Sequence, residues 1–368
     1  MVKRLAGLLA LIGCAWTAAQ LEPAHSSQLL FAASSESSQR PREAMRQTNS
    51  VNEPTTLYVV TRSTQKFKIG GRDNPSVGLF TTTDRGVTWQ HWGWHYEKCF
   101  SVAIAPGSDG RTLYLSCGNG VLKSGDGGAN WIIATDWRMT ECLKAAVDPQ
   151  NPQIVYAATA YGIFKTSDGG ARWEEKNGGL HSTFTPIIAF DVDNPKVLYC
   201  ATEAGVFYSD NGAERWELLG LKDLGIRALV QHATQSNLLI AGTEDNGVMI
   251  SQDRGKSWQA SNAGLGSLTI YSLALDTRDP AAIYAGTFRA GVFKSLDGGK
   301  SWTSSNVGLT TLDIHAILVD PSDSDVIYCG TLGGGVFLSE DGGASWRFIG
   351  LETSQVWDFA VSVHLDGR

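Results

Sequence analysis

One turn signature recurs through the chain and governs what it can fold into. It comprises Thr82, Asp84, Gly86 and Trp89 at its first appearance and Ser339, Asp341, Gly343 and Trp346 at its last. Between them the pattern (Ser/Thr)-x-Asp-x-Gly-x-x-Trp returns with its tryptophan at Trp131, Trp173, Trp216, Trp258 and Trp302, so seven copies run almost end to end. A spacing of roughly 40–50 residues marks a propeller or a solenoid, because each unit needs its neighbours to bury its faces. Glycine suits the turn because it takes positive φ without steric cost. A short aspartate closes the turn by accepting backbone N–H groups, and the tryptophan opens the next strand with its ring buried.

These residues resemble the Asp-box (bacterial neuraminidase-type) repeat of β-propellers, in which the box joins the third and fourth strands of a blade. The resemblance covers about 310 residues. It implies that Asp84, Asp126, Asp168, Asp210, Asp253, Asp297 and Asp341 are structural and lie away from the binding face. The fourth box departs from the pattern: Tyr208 stands where a hydroxyl residue is expected, and Glu214 and Arg215 add a position before Trp216. The expected fold is therefore all-β, a seven-bladed β-propeller with four-stranded antiparallel blades.

The third unit shows the order of strands. Leu143 to Val147 is an inner strand, Ile154 to Thr159 the second, Gly162 to Lys165 the third, and the outer strand starts at Trp173. Inner strands such as Ile187 to Phe190 are apolar on both faces, which suits packing between two sheets. The first unit begins with a second strand, Leu57 to Thr61, whereas Val356 to Ser362 has the pattern of an inner strand with no blade left to start. The C-terminal strand is therefore expected to complete blade one and remove the open edges.

The propeller is expected over residues 54–368. Ahead of it, residues 1–19 read as a signal segment: Lys3 and Arg4 precede the apolar run from Leu5 to Gly13, too short to span a membrane. Leu11, Ile12, Gly13 and Cys14 resemble a bacterial lipobox with Cys14 lipidated; ordinary cleavage after Ala19 and an uncleaved anchor are the alternatives. Residues 20–53 are rich in Ser, Gln, Ala and charge and read as a flexible tether. An exported protein follows, lipid-anchored or periplasmic or secreted, touching membrane only through this anchor. The net charge of −7 argues against nucleic acid or an anionic bilayer as the main partner.

Cysteine usage fits export. Cys99 and Cys142 start inner strands, and Cys117 ends the second strand beside Cys99. A disulfide is expected between Cys99 and Cys117, with Cys99–Cys142 as the alternative. Cys200 and Cys329 read as small core residues. No CxxC or Cys/His spacing is present, and neither a metal nor another cofactor is expected.

Function is sought where one repeat departs from the others. The second and third strands of blade one are joined by a long basic loop containing Arg62, Lys66, Lys68 and Arg72. After the first box the chain runs through Trp92, Trp94, His95 and Tyr96, and the next inter-blade link carries Trp137 and Arg138. Rings and cations on one rim suit sugar stacking or a protein hot spot; alternatively the rings plug the channel. Glu141, Lys144, Glu203, Arg227, Glu244, Asp245, Arg289, Asp313, His315, Trp357 and Asp358 are expected on the same face. Two carboxylates there, at the right separation, would do glycoside hydrolysis.

Asp-box propellers include sialidases, other glycosidases, sortilin-type receptors and photosystem II assembly factors. The Phe/Tyr-Arg-Ile-Pro segment of sialidases is missing, and xyloglucanase-like enzymes cleave between two propellers where this chain has one. A single propeller behind a lipobox is similar in form to the assembly factors, although no arginine cluster along the blades matches that family. What is expected is a non-enzymatic module that binds a protein or assembles onto a membrane complex. Carbohydrate binding or glycoside hydrolysis is the alternative.

Overall fold

In the computed structural model, residues 55–62, 77–93 and 98–363 are described. Lys66, Lys68, Arg72, Trp94, His95 and Tyr96, together with Cys14, the signal segment and the tether, lie outside the described residues.

Seven four-stranded antiparallel sheets form the blades of a β-propeller. Six are contiguous in sequence. Blade two, for example, comprises Cys99–Ile104, Leu113–Cys117, Gly120–Ser124 and Ile132–Ile133, ordered from the channel outward. Blade one is composite: Gln355–Val363 from the C-terminal end is its inner strand, followed by Thr55–Arg62, Gly78–Thr82 and Gln90–Trp92. Both ends of the chain thus meet in one ladder, running from Thr55 opposite Val363 to Arg62 opposite Gln355.

Five of the seven second strands, such as Val155–Thr159 and Leu198–Thr202, are wholly buried, as are the third strands Gly78–Thr82 and Val336–Ser339. Inner strands are only partly buried, Ile187–Phe190 among them. This differs from the expectation that inner strands are the ones sandwiched between sheets. The sheets converge on a channel, so an inner strand keeps some side chains at the channel wall while the second strand meets a neighbouring sheet on either side.

Each box is a closed hydrogen-bond cycle. Ser295 Oγ donates to Asp297 (2.8 Å) and accepts from Gly299 N (2.8 Å). Asp297 also accepts from Ser301 N (2.9 Å) and Ser301 Oγ (2.6 Å). The fourth box corrects the sequence reading, because Asp210 is not its acceptor. Ser209 Oγ donates to Asn211 (2.8 Å), Ala213 N donates to Ser209 Oγ (2.9 Å), and Arg215 N donates to Asn211 (3.1 Å). The box is in register with the others and has no insertion. Asn211 replaces the aspartate, and Ala213 replaces the glycine at φ 69°.

The box tryptophans join blades. Trp89, Trp173, Trp216, Trp302 and Trp346 each donate Nε1–H to a carbonyl in, or one residue past, the preceding blade's outer strand: Ile349, Ala134, Lys176, Ser261 and Ser305. Trp131 instead bonds Gly128 of its own box (2.8 Å), and Trp258 Nε1 is buried without a partner. A second staple runs from Lys123 Nζ (2.7 Å) and Tyr114 OH (3.3 Å) to the carbonyl of Gly169 in the next box. Cys99 and Cys117 are directly opposed in the ladder with sulfurs 3.3 Å apart, an S–H···S contact rather than the ~2.05 Å of a disulfide bond. Cys142 is buried in a separate cluster with Tyr114 and Met139.

The box hydrogen bonds bear on acid stability. Bonds from Thr88 hold Asp84 at about 2, and bonds from Ser257 and Ser301 do the same for Asp253 and Asp297. Asp126 and Asp168 are lowered by the same kind of bond. A carboxyl whose folded pKa lies below its unfolded value of ~3.9 stabilises the fold above that value, and the contribution is lost as pH falls through the folded pKa. The melting temperature is therefore expected to drop steeply between about pH 4 and pH 2. Asn211→Asp, which adds a titrating box, should steepen that limb in thermal melts across pH.

Candidate functional site

Inner strands enter from the face that carries the inter-blade links, and all but one begin with an irregular pairing. The ladder register shifts across Cys99/Ser101, Cys142/Lys144, Ile226/Ala228, Ile270/Ser272 and Ile314/Ala316, and blade one has its shift opposite Trp357. The residues skipped are Phe100, Leu143, Arg227, Tyr271, His315 and Trp357. A bulge leaves its extra residue unpaired and re-aims the side chain. Here the bulges gather large aromatic and cationic groups at the mouth of the channel.

The result is an arc of rings across four blades. Phe100 meets Trp357 edge-on at 5.4 Å, Trp357 meets His315 at 4.2 Å, His315 meets Tyr271 at 5.2 Å, and Tyr271 meets Phe288 at 5.8 Å. A guanidinium sits at each end. Arg62 Cζ lies 4.3 Å from the Trp357 ring centre and 4.7 Å from that of Phe100, and Arg289 lies 4.5 Å from Phe288. These distances are within the range of cation–π attraction. Arg289 also donates its backbone N–H to Asp313 (3.0 Å) from a left-handed φ of 60°.

Two of the mouth carboxylates are held in ion pairs. Asp358 accepts from Lys144 Nζ (2.8 and 3.0 Å) and from Val102 N (3.2 Å), which ties blade one to blades two and three. Glu244 pairs with Arg227 at 2.8 Å. Burial lowers the pKa of Arg62, with Glu141 and then Cys99 opposing; a guanidinium remains charged regardless. Burial, reinforced by Arg62, pushes His315 down to about 4 and keeps its ring neutral at ordinary pH. His315 Nδ1 and Trp357 Nε1 are buried here without hydrogen-bond partners among the described residues.

The residues singled out from sequence fall in several places. Trp92 is not a rim aromatic: its Nε1 donates to Thr81 Oγ1 (2.9 Å), and its Cβ packs against Gly128 of the next box. It fills the inter-blade slot that Ala134, Leu219, Ser261, Ser305 and Ile349 fill elsewhere. Trp137 is 87% exposed, and Arg138 is bound to Asp136 of its own loop (2.6 Å). Arg227, Arg289, Asp313, His315, Trp357, Lys144 and Asp358 do meet at the mouth, and Glu141 acts on Arg62 from nearby. Phe100, Tyr271, Phe288 and the Arg62 clamp were not singled out by sequence. Aligning the seven inner strands on their second residue would have exposed Phe100 and Tyr271.

No family model matches the chain, and no curated protein matches it. Solved structures do share its fold. A GH74 enzyme of Niastella koreensis superposes with TM-score 0.66 at 18% identity, covering 80% of this chain and 52% of its own. YCF48 bound to D1 peptide gives 0.53 at 13% identity, covering 68% of this chain and 82% of its own. The extracellular domain of the putative one-component system BT4673 from B. thetaiotaomicron gives 0.58 at 20% identity, covering 71% of this chain and 36% of its own. The chain spans about half the length of the GH74 enzyme. At these identities the likeness is one of fold alone. No helix among the described residues is long and apolar enough to cross a membrane.

Proposed function

We propose that this propeller is a non-enzymatic docking module of the cell envelope, binding a protein segment at the mouth of its channel. It is held at a membrane through Cys14, or released after cleavage as a periplasmic or secreted protein. The observation that carries this is the aromatic arc flanked by Arg62 and Arg289. Aromatic and arginine side chains on a rigid frame are the groups that dominate protein hot spots. Two same-face carboxylates, Asp358 and Glu244, are already engaged in ion pairs with Lys144 and Arg227. Among proteins of this fold, YCF48 is described with a D1 peptide bound, and it is similar in extent to one propeller.

A second reading, binding or hydrolysis of glycan, is favoured by the stackable rings of the mouth and by the GH74 likeness. Two assays separate them. Docking predicts that envelope protein is retained by the native chain and lost by an Arg62→Ala/Trp357→Ala variant, without release of reducing ends from polysaccharide. Reducing-end release abolished by Asp358→Asn would establish the second reading instead.

A further inference from the structure

We infer that Arg62, held against the rings of Phe100 and Trp357, is an oxyanion receptor that takes a single carboxylate. The source of that carboxylate, a terminus or side chain of a docked segment, rests on the docking function proposed above; the receptor itself does not.

Arg62 closes the strand Thr55–Arg62, where it pairs with Gln355 of the closing strand. Its guanidinium lies 4.3 Å from the Trp357 ring centre and 4.7 Å from that of Phe100, and its N–H groups are what it can offer a ligand. That planar fork matches a carboxylate. Two other cations at the mouth are paired, Arg227 with Glu244 and Lys144 with Asp358. The Arg62 guanidinium makes no hydrogen bond or ion pair with any described residue. A half-buried guanidinium left in this state is an unsatisfied donor set.

The wall beside it points the same way. Trp357 Nε1, which can only donate, and His315 Nδ1 are buried against the same cluster without partners among the described residues. One counter-charge, Glu141, acts on Arg62 electrostatically. A carboxylate is the oxyanion whose planar, two-oxygen geometry the guanidinium fork matches.

The test is local. The full chain, labelled with 15N-arginine, is titrated with acetate, with inorganic phosphate, and with N-acetyl-tetraalanine as free acid and as C-terminal amide. The Arg62 Nε–H resonance is the one absent from Arg62→Lys. A saturable shift of that resonance with acetate and the free acid, absent with the amide, is expected. Trp357→Phe keeps a ring beneath the guanidinium and removes one donor; it should weaken binding by about tenfold. Its melting curve verifies that it is folded. No shift with any probe, or a shift with phosphate at lower concentration than with the acid, overturns the proposal. Local binding without retention of any envelope protein removes docking and leaves the receptor standing. Retention with a silent Arg62 resonance does the reverse.

Discussion

Removing residues 353–368 is expected to lower the melting temperature by more than about 10 °C and to broaden the transition. The closing strand Gln355–Val363 forms an eight-pair ladder with Thr55–Arg62. It contributes Val356 and Phe359 to the cluster of Leu57, Val59, Phe80 and Tyr328. It also carries Asp358, whose bond to Lys144 spans blade two. Deletion would leave blade one with three strands and an open edge, and it would uncover the flanks of blades seven and two. The loss of this strand's ladder and packing is comparable with the ~5–15 kcal/mol that holds a domain folded. A chain melting within about 2 °C of the parent would show that the ring closes without this strand.

The other large effect belongs to a box tryptophan. Trp216 is 1% exposed, packs with Tyr156, Ile188, Phe207 and Ala213, and donates to Lys176 O at 2.8 Å. Trp216→Ala is expected to cost about 4 kcal/mol, from lost burial and a cavity that cannot collapse between two sheets. That corresponds to a fall of roughly 6–12 °C. Trp216→Phe fills most of the space and leaves the Lys176 carbonyl without its donor, at a cost of about 1–2 kcal/mol. Trp137→Ala, at an exposed ring, should change stability by no more than ~0.5 kcal/mol. Chemical denaturation of the three variants decides, and equal losses at Trp216 and Trp137 would remove the inter-blade role of the box ring.

The architecture was legible because the box is a local object. A hydroxyl, a carboxylate and a glycine within five residues close their own hydrogen bonds, so the pattern survives in sequence wherever the turn survives in space. Box four was misplaced by one position because Asn211 and Ala213 both depart from the preferred residues while the adjacent Asp210 mimics the right one. The closing strand was legible from an unpaired pattern at each end of the chain.

The mouth was harder to read. Its rings and cations come from several blades, many of them placed by bulges that periodicity does not reveal. Only its charged members, with His315 and Trp357, stood out. Trp92 was misjudged for the opposite reason. The slot it fills accepts Ala134, Leu219, Ser261 and Ile349 elsewhere, so nothing in that variety marks it as a packing position.

The most direct measurement of the docking function is retention from native envelope extract by three forms of the propeller: the parent, Arg62→Ala/Trp357→Ala, and Trp137→Ala as a control for the outer rim. Docking at the channel mouth predicts a discrete protein retained by the parent and by Trp137→Ala and lost by the double variant, with all three forms folded by thermal melt. Equal retention by the parent and the double variant would contradict it, and so would a protein lost only with Trp137→Ala.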